Sequence, residues 1–157
     1  QAGKRWESDK GKNLLFSVVL YPESVPPEEQ FIISITISLG ICDFLSRYYS
    51  GSKIKWPNDI YIQNDKIAGI LIENSIAGPV IKNSIAGIGL NINQEKFPED
   101  IPNPTSLKLI TGKEFKTSVV LKELLDALDL RYRQMLYGPR EALPEEYISL
   151  IYKMKEW

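Results

Sequence analysis

Histidine is missing from this chain, and cysteine occurs once, as Cys42. The first absence removes Ser-His and Cys-His nucleophile pairs and the usual His-rich zinc site. The second rules out an internal disulfide and suits a reducing, cytoplasmic compartment. Long hydrophobic runs are also lacking. The most apolar stretch, 31–45, is interrupted by Ser34, Thr36, Ser38, Gly40 and Asp43, and falls short of the roughly 20 apolar residues a membrane span needs. Near the start, Lys4, Arg5, Glu7 and Asp9 leave no room for the apolar core of a signal peptide, so none is expected. There is no excess of one charge: the net value is −1 and Lys and Arg are dispersed. A nucleic-acid surface would need them gathered into a basic stripe. Chemistry here must therefore run on Lys, Arg, Asp, Glu, backbone N–H groups and bound ligands.

What is present reads as one globular domain. The 157 residues are 43% hydrophobic and 25% charged, enough to bury a core and too apolar for a disordered chain. Both ends read as cuts through a larger protein.

Segment 13–20 (NLLFSVVL), bounded by Gly11 and Pro22, predicts a buried strand. Pro26-Pro27-Glu28-Glu29 predicts a helix start, with Ile32, Ile35, Leu39, Cys42 and Tyr49 at helical spacing and Ser50-Gly51 as the stop. Short strands are expected over 53–56, 60–63 and 66–73, the last two joined by the turn dipeptide Asn64-Asp65. After Gly78-Pro79, residues 80–93 predict another strand, with Ile88, Leu90 and Ile92 on one face and Gly87, Gly89 and Asn91 on the other. A loop containing Pro98, Pro102 and Pro104 follows. Thr117 is expected to cap a long helix carrying Leu121, Leu124, Leu125, Leu128, Tyr132 and Met135, closed by Gly138-Pro139. Pro144-Glu145-Glu146 predicts a last helix with Tyr147, Ile148, Ile151 and Met154 as its apolar residues. This order gives an α+β fold: a mixed, largely antiparallel sheet with helices packed on it. The run Asn-Ser-Ile-Ala-Gly occurs twice, at 74–78 and 83–87, too short to signal a repeat architecture.

Three places invite chemistry. Pro57 and Asn58-Asp59 break a strand, and Lys66 opens the next one, so an ammonium and a carboxylate can meet at one rim of the sheet. Gly69, inside that strand, weakens it by about 0.5–1 kcal/mol relative to alanine and calls for a close neighbour. Spacing leaves two readings open: a ligand rim, or a solvated hairpin ion pair with Gly69 in a bulge. Gly87, Gly89 and Asn91 make either a shallow groove for a flat ring or a strand crossed closely by a helix. Gly3-Lys4, Arg5-Trp6 and Gly11-Lys12 look like a phosphate-contacting loop with a stacking aromatic, although neither a dinucleotide fingerprint nor a P-loop is present.

Lys55-Trp56-Pro57-Asn58-Asp59, then 66–73 (KIAGILIE), then 87–93 (GIGLNIN), with Pro104-Thr105-Ser106-Leu107 and the Gly3–Leu14 start, resembles the biotin–protein ligase family over nearly the whole chain. The resemblance implies a fold like that of class II aminoacyl-tRNA synthetases and biotin ligases. It also implies an activity: biotinyl-5′-AMP made from biotin and ATP (with Mg²⁺), then transfer of biotin to a lysine of a carboxylase's biotin carboxyl carrier domain. Lys66 is implied as the catalytic lysine, reaching the biotin carboxylate and the α-phosphate. Asp59 is implied to position or deprotonate the incoming lysine. Gly3, Lys4, Gly69, Leu71, Gly87 and Gly89 would line the biotin site, and Lys4, Trp6, Asn58, Lys66 and Asn91 the ATP or adenylate site, with Trp6 packing on adenine and Asn91 reading its amino group.

Lys4 stands where the family has an arginine, losing the bidentate fork. Lys4 also runs directly into Arg5-Trp6, where the family has further Gly- and Arg-rich residues. The family's Ser-Thr-Asn biotin contacts, its small C-terminal SH3-like barrel and any DNA-binding helix-turn-helix are not represented, and a homodimer is left open. Two other readings stand beside this one: a lipoate or octanoate ligase of the same fold, and a non-catalytic biotin-binding or dimerisation module.

Overall fold

The structure, a computed structural model, describes Trp6 and residues 8–152. Its centre is a five-stranded antiparallel sheet built from β1 (Leu14–Leu20), β2 (Ser52–Lys55), β3 (Asp59–Ile62), β4 (Asp65–Ala77) and β5 (Val80–Leu90), in the order β1-β5-β4-β3-β2. All named strand pairs are antiparallel; among the described residues, parallel pairing is confined to the isolated bridges Ile54 to Ile151 and Lys66 to Pro104.

Turn chemistry decides the connections. Gln63 (φ 55°) and Asn64 join β3 to β4, one residue earlier than the Asn64-Asp65 turn expected, because Ile62 pairs with Asp65. Gly78 (φ 60°) and Pro79 turn β4 into β5. β4 runs on to Ala77, beyond the expected 66–73, and the repeated Asn-Ser-Ile-Ala-Gly runs lie against each other, Asn74 opposite Ser84 and Ser75 opposite Asn83. β5 ends at Leu90, three residues short of expectation.

One face of the sheet is covered by α1 (Phe31–Leu45), which follows a 3-10 turn at Pro27–Glu29 and ends well before Tyr49. Helical spacing identified one stripe of α1, but Ile33, Ile37, Ile41, Phe44 and Leu45 are buried as well. A helix apolar all round is a core helix. α1 lies between the sheet and a second layer formed by α3 (Thr117–Tyr137) and α4 (Ala142–Ser149). Gly40 makes the α1–α3 contact close: a Cβ there would sit 2.8 Å from Leu128 Cδ2 and 3.1 Å from Leu128 Cα. Thr117 is the first residue of α3 and not its cap; Lys116 takes the cap position without a side-chain bond. Leu125 and Ile148 face outward, while Val120, Ala127 and Leu143 take core places. Met154 lies outside the described residues.

A short helix, α2 (Leu107–Thr111), was not expected. Ser106 caps it by accepting from Leu109 N, and Gly112 (φ 74°) ends it. No described helix is long and apolar enough to cross a membrane. Burial pushes the Cys42 thiol up to about 11, so it sits in the core as a neutral group.

Arg131 ties the helical layer together. Its Nε and Nη2 donate to Asp43 on α1 at 2.6 and 3.1 Å, and its Nη1 and Nη2 donate to Glu146 on α4 at 3.1 and 2.7 Å. Hydrogen bonding from Arg131 holds the Glu146 carboxyl below its ordinary 4.5. A carboxyl depressed on folding stabilises fully above the unfolded value, and that contribution is lost as pH falls through the folded one. The melting-temperature gap between wild type and Glu146→Gln is therefore expected to be widest above pH 4.5 and to close on acidification, as followed by thermal melts across acid pH.

Candidate functional site

The face of the sheet opposite α1 carries a cleft of about 270 Å³ lined by Trp6, Leu15, Asn58, Asp59, Lys66, Gly69, Ile70, Leu71, Gly87, Ile88 and Gly89. Strand register explains the lining. Asp59 pairs with Gly69, Gly69 with Gly89, and Gly89 with Leu15, so four strands each give one residue to a single lateral row. The next row is Leu71, Gly87 and Ser17. Period-two alternation keeps all of these on one face, and the three glycines leave it flat between the exposed side chains of Leu15 and Leu71.

Lys66 reaches this face because β4 is irregular. Ile60 pairs with Ala68 but Tyr61 pairs with Lys66, so Ile67 is an extra residue, bulged out of the ladder. Ile67 and Ala68 are both buried in the core. Without the bulge, Lys66, three residues from Gly69, would point towards α1; the bulge re-aims it into the cleft. The bulge that one reading of the spacing put at Gly69 is found at Ile67, and Gly69 is in regular register. Backbone bonds fix the strand start: Lys66 N donates to Asn103 O (2.7 Å), and Lys66 O accepts from Thr105 N (2.9 Å).

Lys66 Nζ lies 3.0 Å from Asp59 Oδ1, with the two side chains 26% and 18% exposed. The pair is half-buried at the cleft rim, unlike the solvated ion pair that spacing had left open. Asn58 holds the turn beside it, its carbonyl accepting from Ile70 N (2.9 Å). Lys66 Nζ also lies 5.4 Å from the Trp6 ring centroid, within cation–π range. The flat ring on the glycine face is Trp6's own indole. A Cβ on Gly89 would overlap Trp6 Cε2, and one on Gly69 would fall 2.9 Å from Cζ3. Neither a crossing helix nor a bulge accounts for these glycines; a stacked indole does.

Gly89→Ala is expected to displace Trp6, with a red-shifted tryptophan emission. The strand itself should hold or gain about 0.5–1 kcal/mol, read as an unchanged or raised melting temperature.

Asn91 lies beyond the end of β5 and outside the cleft lining. Its Nδ2 donates to Thr105 O (3.0 Å), and its buried Oδ1 has no partner among the described residues. Gly3 and Lys4 lie outside the described residues, as does the junction between Lys4 and Trp6. Leu15 and Ile88 were not singled out by sequence, although the β1 alternation places Leu15 on this face.

An α+β domain carrying a flat-floored cleft, with an ammonium–carboxylate pair at its rim, is a ligand-binding domain of a particular shape. Its fold is that of solved biotin ligases: the Aquifex aeolicus biotin protein ligase in complex with biotin and ATP superposes with a TM-score of 0.80 at 28% identity, covering 95% of this chain and 62% of that one. A model of the biotin/lipoate A/B protein ligase family matches residues 1–91, and the chain belongs to that family. It is 30% identical over 152 residues to the bifunctional ligase/repressor BirA of Bacillus subtilis, covering 90% of this chain and 46% of that protein. Biotin–protein ligase 2 of Arabidopsis thaliana is 30% identical over 162 residues, covering 90% and 49%. The chain spans about half the length of the curated relatives it matches.

Proposed function

We propose that this chain is the catalytic core of an ATP-dependent biotin–protein ligase. Such an enzyme joins the biotin carboxylate to the α-phosphate of ATP, releasing pyrophosphate, and then transfers biotin from biotinyl-5′-AMP to a carrier-domain lysine, releasing AMP. The observation that carries the reading is the Lys66 ammonium, 3.0 Å from Asp59 at the rim of the glycine-floored cleft. A fixed cation in a partly desolvated cleft stabilises charge developing between carboxylate and phosphate. Asp59 beside it is placed to orient an incoming lysine amine and accept its proton.

Gly69, Leu71, Gly87 and Gly89 are assigned to the biotin site, with Leu71 and Gly87 as the apolar surface beside the indole that Trp6 lays over Gly69 and Gly89, while Trp6 and Asn58 border the adenylate. The unpartnered Asn91 Oδ1 supplies an acceptor of the kind an adenine amino group would satisfy. Gly3 and Lys4, which lie outside the described residues, are assigned to biotin and phosphate contacts on the family resemblance alone. Mg²⁺ arrives with ATP and offsets phosphate charge. The acceptor is a biotin carboxyl carrier domain of a carboxylase, the compartment the cytoplasm, and a homodimer is compatible with this reading.

ATP–pyrophosphate exchange by the whole protein, compared with biotin and with lipoate, tests it. Exchange with biotin is expected. Exchange with lipoate alone would move the protein to the lipoate branch of the family, and biotin binding without exchange would make it a binding module.

A further inference from the structure

Trp6 precedes the first strand and has no polar anchor of its own: its Nε1 is buried without a partner among the described residues. Stacking on glycines and the Lys66 ammonium 5.4 Å from the ring centroid hold the indole without a directional bond, so its place also depends on the segment behind it. That segment is held by a directional chain of amides. Asn13 Oδ1 accepts from Ile92 N (2.9 Å), which obliges Asn13 Nδ2 to face the other way. There it donates to Gln94 Oε1 (2.6 Å) and to Ser8 Oγ (3.1 Å). Gln94 Oε1 also accepts from Asp9 N (3.2 Å), and its Nε2 donates to Lys96 O (2.9 Å). Gln94 is only 1% exposed, so each of these bonds replaces water the amide cannot reach. Backbone pairing reinforces the dock: Asn93 N donates to Lys12 O (2.8 Å), and Lys12 N to Asp9 O (3.2 Å). Gly89, on which the indole rests, lies on the strand whose continuation carries Gln94. One strand therefore supplies both the surface under Trp6 and the tether behind it.

We infer that Asn13 and Gln94 form a polar clamp that positions Trp6 over the ligand cleft, making both of them positioning residues for the ligase reaction. The nature of the cleft's ligand rests on the function proposed above; the clamp does not.

The test uses the whole protein labelled with fluorotryptophan, with the Trp6 resonance assigned by its loss in Trp6→Phe. Gln94→Leu and Asn13→Ala are expected to move that resonance to the solvent-exposed position. Gln94→Glu keeps the acceptor facing Asn13 and Asp9 but loses the Nε2 donor to Lys96 O, so it should shift the resonance less than Gln94→Leu. In exchange assays Gln94→Leu and Asn13→Ala should raise the KM for biotin about tenfold, as expected for one lost hydrogen-bonded constraint, with kcat little changed and Gln94→Glu in between. An unmoved Trp6 resonance in folded Gln94→Leu and Asn13→Ala overturns the clamp. A moved resonance with unchanged KM overturns the positioning role. Should Gln94→Leu fail to fold, Asn13→Ala, at a partly exposed residue, gives the same reading. If wild type shows no exchange with biotin, the functional proposal fails, while the fluorine spectrum still decides the clamp.

Discussion

Lys66→Ala is expected to leave the fold in place and to slow biotin-dependent ATP–pyrophosphate exchange by about a hundred- to a thousandfold, the usual loss when one preorganised donor is removed from a developing charge. The fold survives because the structural bonds at this position are backbone bonds, to Asn103 and Thr105. The side chain contributes a half-buried ion pair and a cation–π contact with Trp6, together costing about 1–2 kcal/mol when broken. Lys66→Arg keeps the charge but replaces a compact ammonium with a planar fork, so it should restore little. Asp59→Asn separates the two half-reactions: exchange should persist better than transfer to the carrier lysine, because the carboxylate is assigned to the second step. Near-normal exchange in folded Lys66→Ala would remove the role given to this residue.

Gly40→Val should have the largest effect on stability. The new Cβ would lie 3.1 Å from Leu128 Cα, a backbone atom that yields only if α3 moves as a whole. The two extra methyl groups enter a core already closed by Phe44, Leu124 and Leu128. Overpacking of this kind costs about 3 kcal/mol, which for a domain of this size lowers the melting temperature by roughly 6–12 °C. Gly40→Ala should cost less, since Leu128 Cδ2 can rotate away. A Gly40→Val protein melting with wild type would mean that α3 yields at Leu128 and the α1–α3 contact is not closed to added volume.

The sheet was legible in the sequence because its signals are local. Alternation in β5, Gly78-Pro79 and the broken Trp56–Asp59 stretch each act within a few residues, whereas β1, expected as a buried strand, lies at the sheet edge with Leu15 and Val19 exposed. The meeting of Lys66 and Asp59 followed from the hairpin between them. What escaped was whatever depends on a second element. Nothing in Lys66-Ile67-Ala68-Gly69 marks Ile67 as the bulged residue, and Gly69 drew the bulge to itself. α1 was read as one stripe because the layer on its far side is formed by helices some eighty residues later; a glycine amid isoleucines was the available hint of a close crossing. Asn91 was placed by extending the β5 alternation past Leu90, where the chain turns to Thr105 instead.

The lateral row of Asp59, Gly69, Gly89 and Leu15 has a kinetic consequence. The β3-β4-β5 meander brings Asp59, Gly69 and Gly89 together through tight turns, but Leu15 joins the row only when β1 pairs with β5, so the complete floor exists in no single hairpin. Loop closure must bring β1 to β5 before the surface is complete, and fraying of β1 removes the Leu15 wall. A molecule resting on that row spans the sheet crosswise, like a batten nailed over planks, and its binding should slow unfolding of the sheet as a unit.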